Sequence, residues 1–181
     1  MVFCIPNPDR YPVHLGKTRD EKGVEDVKAE IRIYQAELKD LDKAAAMLNQ
    51  YRRFYEREDD LDGARQYIRE RLTHGDSVIF LADCTRCETV ATPGFLQLYP
   101  SFSSLSMSRL WILNDLYVDS EYRGLGIGRE LLHQARTHAV QTKAKGLTLS
   151  TQLHNTAAQR LYESAGYQRD DEFVHYDLGL S

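Results

Sequence analysis

From Glu30 onward the apolar positions first alternate and then cycle. In "EIRIYQAEL", Ile31 and Ile33 fall on one face with Gln35 after them, a period of two that predicts a strand. Asp40 can cap the helix that follows, where Leu41, Ala44, Ala45, Leu48, Tyr51 and Tyr55 recur at helical spacing. "EREDDLDG" interrupts the pattern. A second helix then carries Ala64, Tyr67, Ile68 and Leu72, with Gly75 as its stop. "SVIFLAD" and "TVATPGFLQLY" read as consecutive strands joined by a short turn, and "SRLWILNDLYV" as a longer one. A helix from about Gly128 to Lys143 presents Leu131, Leu132, Ala135 and Ala139 on one face, and "GLTLST" is a short strand. Asn155 can cap a last helix carrying Ala157, Ala158, Leu161, Tyr162 and Ala165 before Gly166. "EFVHYDLGL" reads as a closing strand, with Phe173, His175 and Asp177 on one face and Val174, Tyr176 and Leu178 on the other. The order β-α-α-β-β-β-α-β-α-β predicts an α/β or α+β domain on a mixed, mostly antiparallel sheet, with a βαβ unit in its second half.

Residues 1–28 stand apart. Pro6, Pro8 and Pro12 break regular structure there, and "GKTRDEKGVEDVK" is charged and aperiodic, so an irregular N-terminal arm is expected before a folded domain over 29–181. The length of 181 residues suits one such domain, and a hydrophobic fraction of 42% is enough for its core. The formal net charge of -4 gives no basic excess, which argues against a nucleic-acid partner. No apolar run is long enough to span a bilayer, and "MVFCIPNPDR" lacks the pattern of a secretory signal, so a cytoplasmic protein with no membrane partner is expected. Cys4, Cys84 and Cys87 are too few for a disulfide framework. Cys84 and Cys87 form a C-x-x-C, but no second pair of ligands exists and the motif does not open a helix. It reads as a hairpin turn, and the histidine spacings add no metal site.

The stretch "RGLGIG", Arg123 to Gly128, lies between a strand-like run and a helix-like one. Such a junction binds anions, because the first helical N–H groups lack intrahelical partners and the helix dipole adds positive charge. Arg123 and Arg129 can add charge-assisted bonds. The Walker pattern is absent, since Gly128 is followed by Arg129, and the spacing G-x-G-x-G misses the dinucleotide fingerprint.

The stretch resembles the R/Q-x-x-G-x-G/A signature of the GNAT superfamily of N-acetyltransferases. "NDLYVDSEYRGLGIGRELL" resembles that family's strand, loop and helix as a block, and "NTAAQRLYESAGY", from Asn155 to Tyr167, resembles its downstream helix. The likeness covers roughly residues 30–180. It implies a GNAT fold of about seven strands, splayed in the middle and flanked by about four helices. It implies acetyl-CoA as co-substrate, with its pyrophosphate on Arg123, Gly124, Leu125, Gly126, Ile127 and Gly128, and with Arg129 opening the helix. Leu116, Tyr117 and Val118 would pair with the pantetheine arm. Asn155 would lie near that arm as well as capping its helix, and Tyr162 would lie against the cofactor and protonate the departing thiolate. A homodimer is also implied.

Asn114 stands where several relatives, including spermidine/spermine acetyltransferases, carry a glutamate base. Asp115 follows it as the candidate to hold a cationic acceptor or relay its proton, although alternation puts Asp115 on the opposite face unless a bulge intervenes. In "YEREDDLDG", Glu56, Glu58, Asp59, Asp60 and Asp62 outnumber Arg57, forming either a solvated face or a rim that attracts a polycation. Tyr99 and Phe102 would lie near the same rim. The expected activity is acetyl transfer from acetyl-CoA to a primary amine of a small, including polyamine-like, acceptor. The alternatives are a protein lysine or N-terminal acetyltransferase and a non-catalytic acyl-CoA-binding regulatory module.

Overall fold

The structure, a computed structural model, describes residues 29–86 and 88–180; the expected arm at 1–28 and Cys87 of the C-x-x-C lie outside them. Five strands form one sheet in the order β1 (Glu30–Gln35), β2 (Val78–Arg86), β3 (Thr89–Ser103), β4 (Ser108–Val118), β5 (Gly146–Thr148). The first four run antiparallel in sequence, and β5 lies parallel to β4. Between β1 and β2 run α1 (Leu41–Phe54) and α2 (Leu61–His74). α3 (Ile127–Gln141) connects β4 to β5, and α4 (Thr156–Ser164) follows.

Alternation along the strands builds two cores. Ile79, Leu81, Phe95 and Tyr117 point toward α1 and α2, where Ala44, Leu48, Tyr51, Ala64 and Ile68 cover them. Phe80, Leu96, Leu98, Leu113 and Leu116 point the other way, against Ile127, Leu131 and Ala135 of α3 and Ala158 and Tyr162 of α4. Both faces of the middle strands are therefore buried, which is why "SVIFLAD" reads as a continuous apolar run.

The helix ends follow the expected chemistry with one exception. The Asp60 carboxylate accepts from Gly63 N–H at 2.8 Å to start α2, and Gly75, at φ 63°, stops it. Asp40 precedes α1 as expected, yet its side chain turns back to accept from Glu37 N–H at 3.0 Å across a short 3-10 turn.

Strand number departs from the expectation of about seven. The run "GLTLST" contributes only Gly146–Thr148, and residues 168–180 form no strand. Val174, Tyr176 and Leu178 are 76%, 90% and 86% exposed. A period of two shows what a strand would bury but not whether an edge exists to receive it. A three-residue edge strand offers few backbone groups to pair.

Two irregularities shape the sheet. Ala82 pairs with Gly94 but Cys84 with Ala91, so Asp83 faces both Thr92 and Pro93. That bulge accommodates a proline, which has no N–H to donate, in mid-strand. In β4, Asp115 pairs with Gln97 and Leu113 with Leu98, leaving Asn114 as an extra residue.

Asn49 of α1 is buried and ties down the α1–α2 loop. Its Nδ2 donates to Asp59 Oδ1 at 2.8 Å, and its Oδ1 accepts from Asp60 N–H at 3.0 Å. Asn49→Ala removes two hydrogen bonds that hold the loop and should cost about 1–3 kcal/mol. The readout is a lower urea midpoint at unchanged m-value.

Candidate active site

The bulge settles where Asp115 points. Trp111 and Leu113 share a core with Leu116 and Val118, so facing parity switches across Asn114. Asp115 and Tyr117 both face α1 as a result. Asn114 reaches the same group, its Nδ2 donating to Asp115 Oδ2 at 2.9 Å. The Tyr51 hydroxyl of α1 donates to the same carboxylate. Edge-on contacts with Tyr55, Phe95 and Tyr117, at centroid separations of 5.0, 5.8 and 6.1 Å, fix the Tyr51 ring. Asp115 is 8% exposed. Burial pushes its carboxyl up to about 6, against the opposing pull of the Asn114 and Tyr51 hydrogen bonds.

The last residues of β4, Leu116, Tyr117 and Val118, are buried and pair with Leu96, Phe95 and Gly94 of β3. On the other side, β5 meets β4 only from Leu110 to Ile112. Among the described residues no strand joins this side of β4 beyond Ile112, so an extended ligand arm can lie along it.

A short 3-10 turn, Ser120–Tyr122, leads into the glycine loop. Gly124 and Gly126 adopt φ of 79° and 90°, a region side chains avoid, and Gly126 is the N-cap of α3. Gly128 serves packing, since a Cβ there would lie 3.2 Å from Leu161 Cδ2, so its absence lets α4 approach α3. Ile127 is buried, Leu125 half-buried and Arg129 exposed on the first turn of α3. The N–H groups of that turn have no intrahelical carbonyl to bond, as an anion site requires. Arg123 is partly committed elsewhere. Its Nε donates to Val118 O at 3.1 Å, and its guanidinium lies 5.8 Å from the Phe54 ring centroid. It lines a cleft of about 380 Å³ together with Gln50, Arg53, Phe54, Tyr117, Asp119 and Ser120. Arg53 was not singled out from sequence, because its helical position reads only as solvated surface.

On α4, the Asn155 side chain accepts from Ala158 N–H at 3.1 Å, a plain N-cap inside the protein. Tyr162 is buried in the α3–α4 core, its ring 5.8 Å from that of Tyr167. Both tyrosines border a cavity of about 340 Å³ between β5 and α4. Burial pushes the Tyr167 phenol up to about 12. Tyr167 lacked a sequence signal of its own, being only the closing aromatic of the helix motif.

The acidic run between α1 and α2 is largely paired. Asp59 lies 3.4 Å from Arg53, Asp60 lies 3.8 Å from Arg52 while capping α2, and Asp62 meets Arg65 at 2.8 Å. Tyr99 hydrogen-bonds Tyr67 of α2, and Phe102 stacks under Arg109, 5.2 Å from its centroid. Among the described residues no cluster of His, Cys, Asp or Glu could hold a metal ion, and no helix is long and apolar enough to cross a membrane.

A glycine turn at a helix N-terminus, beside a strand whose edge opens past its midpoint, suits a phosphate-bearing extended ligand such as a coenzyme A thioester. That is the donor half of an acyltransferase. The chain belongs to the acetyltransferase (GNAT) family, whose model matches residues 44–167. It is 45% identical over 150 residues to the uncharacterized N-acetyltransferase YhfO of Bacillus subtilis, covering 83% of this chain and 98% of that one. It is similar to the crystal structure of a probable acetyltransferase, at 43% identity and TM-score 0.76, over 83% of this chain and 98% of the other. An aminoglycoside acetyltransferase from an uncultured soil metagenomic sample shares the fold at TM-score 0.70 and 18% identity, over 83% and 97% of the two chains. The protein is thus an acetyl-CoA-dependent N-acetyltransferase.

Gly126→Val places a β-branched residue at φ 90°, a strain on the order of 1–3 kcal/mol that the loop relieves by changing shape. Calorimetry should then show acetyl-CoA bound about tenfold or more weakly, with circular dichroism unchanged. An unchanged Kd removes this loop from the donor site.

Proposed function

We propose that the chain transfers the acetyl group of acetyl-CoA directly to a primary amine of a small acceptor, with Asp115 receiving the amine's proton. The buried Asp115 carboxylate beside the open β4 edge carries this reading. An ammonium group cannot attack a thioester until it loses a proton. A carboxyl raised to about 6 is still mostly ionised at neutral pH, and is a better proton acceptor than an ordinary aspartate. The amine's lone pair is freed as the proton passes to Asp115, directly or through water.

Leu116, Tyr117 and Val118 supply the open backbone edge for the pantetheine arm. The loop from Arg123 to Gly128, with Arg129 at the start of α3, supplies the pyrophosphate site. Backbone N–H groups along this edge polarise the thioester carbonyl. The Tyr162 phenol protonates the departing thiolate as the tetrahedral intermediate collapses. Asn155 fixes the first turn of α4 and hence the position of Tyr162. The paired charges of the α1–α2 loop weaken the case for a polyamine drawn by an acidic rim and favour the buried carboxylate as the group that meets the amine.

An acceptor screen that follows CoA thiol release should return a primary amine; silence across amino acids, polyamines, aminoglycosides and lysine peptides would sink the reading. With that acceptor, kcat/KM should be full above pH 7 and fall as pH drops through about 6, because protonation removes the acceptor for the proton. Asp115→Asn should lower kcat/KM by about 10²-fold and abolish that limb. Tyr162→Phe should lower kcat while leaving the acceptor KM near its original value; an unchanged kcat would release Tyr162 from its role.

A further inference from the structure

Two buried aspartates lie on the α1–α2 side of the sheet, each 8% exposed, and their surroundings differ in one respect. Asp83 has a counter-ion: Lys43 Nζ lies 3.3 Å away, and Thr92 and Tyr34 hydroxyls donate at 2.6 and 3.3 Å. Asp115 receives only the neutral donors Asn114 and Tyr51, and among the described residues no lysine, arginine or histidine pairs with it. A buried carboxylate without a cation is costly, and such groups are ordinarily paired.

Beside it are two further oxygens with nothing to accept. Gln97 is the ladder partner of Asp115, and directly opposed residues share a face. Its side chain is 0% exposed. Its Nε2 donates to Ser77 Oγ at 2.9 Å, while its Oε1 has no partner. Asn114 spends its Nδ2 on Asp115, and its Oδ1 is likewise buried and without a partner. Buried acceptors are ordinarily hydrogen-bonded, so two unmet acceptors beside a carboxylate with no counter-ion call for an explanation. Together they present one negative charge, held by neutral donors alone, and two acceptor oxygens with no donor. Their complement is a cation with three N–H groups.

We propose that Asp115, Asn114 Oδ1 and Gln97 Oε1 form a socket for the primary ammonium group of the acceptor. The proposal rests on the reading above that Asp115 meets the acceptor amine, and it adds Gln97 and Asn114 as the residues that select a primary ammonium. The fold holds the socket ready: the bulge turns Asn114 and Asp115 to one side, and Tyr51 of α1 fixes the carboxylate. The other titratable groups facing it are Tyr99 of β3, whose phenol is pushed up first by burial, then by Tyr67 and by the Asp115 charge, and Tyr67 and Arg71 of α2. Arg71 is engaged by Asp76 at 2.9 Å.

The test uses the full chain labelled with 13C-carboxyl aspartate, with the Asp115 signal assigned by its loss in Asp115→Asn. At pH 7, propylammonium chloride should move that signal saturably, and tetramethylammonium chloride at matched ionic strength should not, because it carries charge without N–H groups. Gln97→Leu should weaken the propylammonium response about tenfold or more at unchanged Tm, and Asn114→Ala should weaken it similarly. Equal responses to the two cations, or an unchanged response in Gln97→Leu, overturns the socket. No ammonium response in the wild type, together with thiol release lost in Asp115→Asn, discards the socket and keeps the transfer reading. Full thiol release in Asp115→Asn discards the Asp115 role itself.

Discussion

The site depends on one surplus residue in β4. Without Asn114 as a bulge, strict alternation would send Asn114 and Asp115 to opposite faces of the sheet. The extra residue turns both toward α1 and lets one amide hold the neighbouring carboxylate at 2.9 Å. It also realigns the strand, so that Trp111 and Leu113 before it and Leu116 and Val118 after it all feed the same core. The cost is one lost rung of the β3–β4 ladder. The gain is a carboxylate placed where both helical layers bear on it, with Tyr51 holding it from one side while the α3 core braces the strand from the other.

The proposed donor site depends on close approach rather than on side-chain chemistry. Gly124 and Gly126 let the chain turn sharply from β4 into α3, and Gly128 lets α4 close against α3. Arg123 reaches back to the end of β4 and toward Phe54 of α1. The glycine loop, the proposed pyrophosphate site, is therefore braced by the same helix that braces Asp115. The proposed donor and acceptor sites share α1 as a common wall, and a shift of that helix would disturb both.

Much of this was legible in the sequence. The period-two and period-3.6 runs located β1 to β4 and all four long helices within a few residues, because each buries a full apolar stripe. The glycine motif was readable because positive φ and tight helix contact restrict residue type. Other features depend on partners that pattern does not reveal. The bulge at Asn114 comes from register between two strands, and no local signal marks it. The pairing of Asp59, Asp60 and Asp62 with arginines depends on how the α1–α2 loop folds back, so a charge count overstated the acidity of the rim. Gln97 drew no notice, because a single sequence does not show that α1 and α2 cover its face of the strand. The run after Tyr167 has strand periodicity, yet finds no edge to join.

The shortness of β5 has a meaning for life in a crowded solution. A sheet edge is a template on which another chain can lay a strand, and long flat apolar edges invite such growth. Here that edge extends over three residues, Gly146–Thr148, so an intruding strand gains only a few ladder bonds. The opposite edge, β1, carries Glu30 and Arg32 among its outward residues, and charge there discourages stacking of like chains. The same brevity that leaves the proposed cofactor edge of β4 open also gives an intruding strand little of β5 to extend.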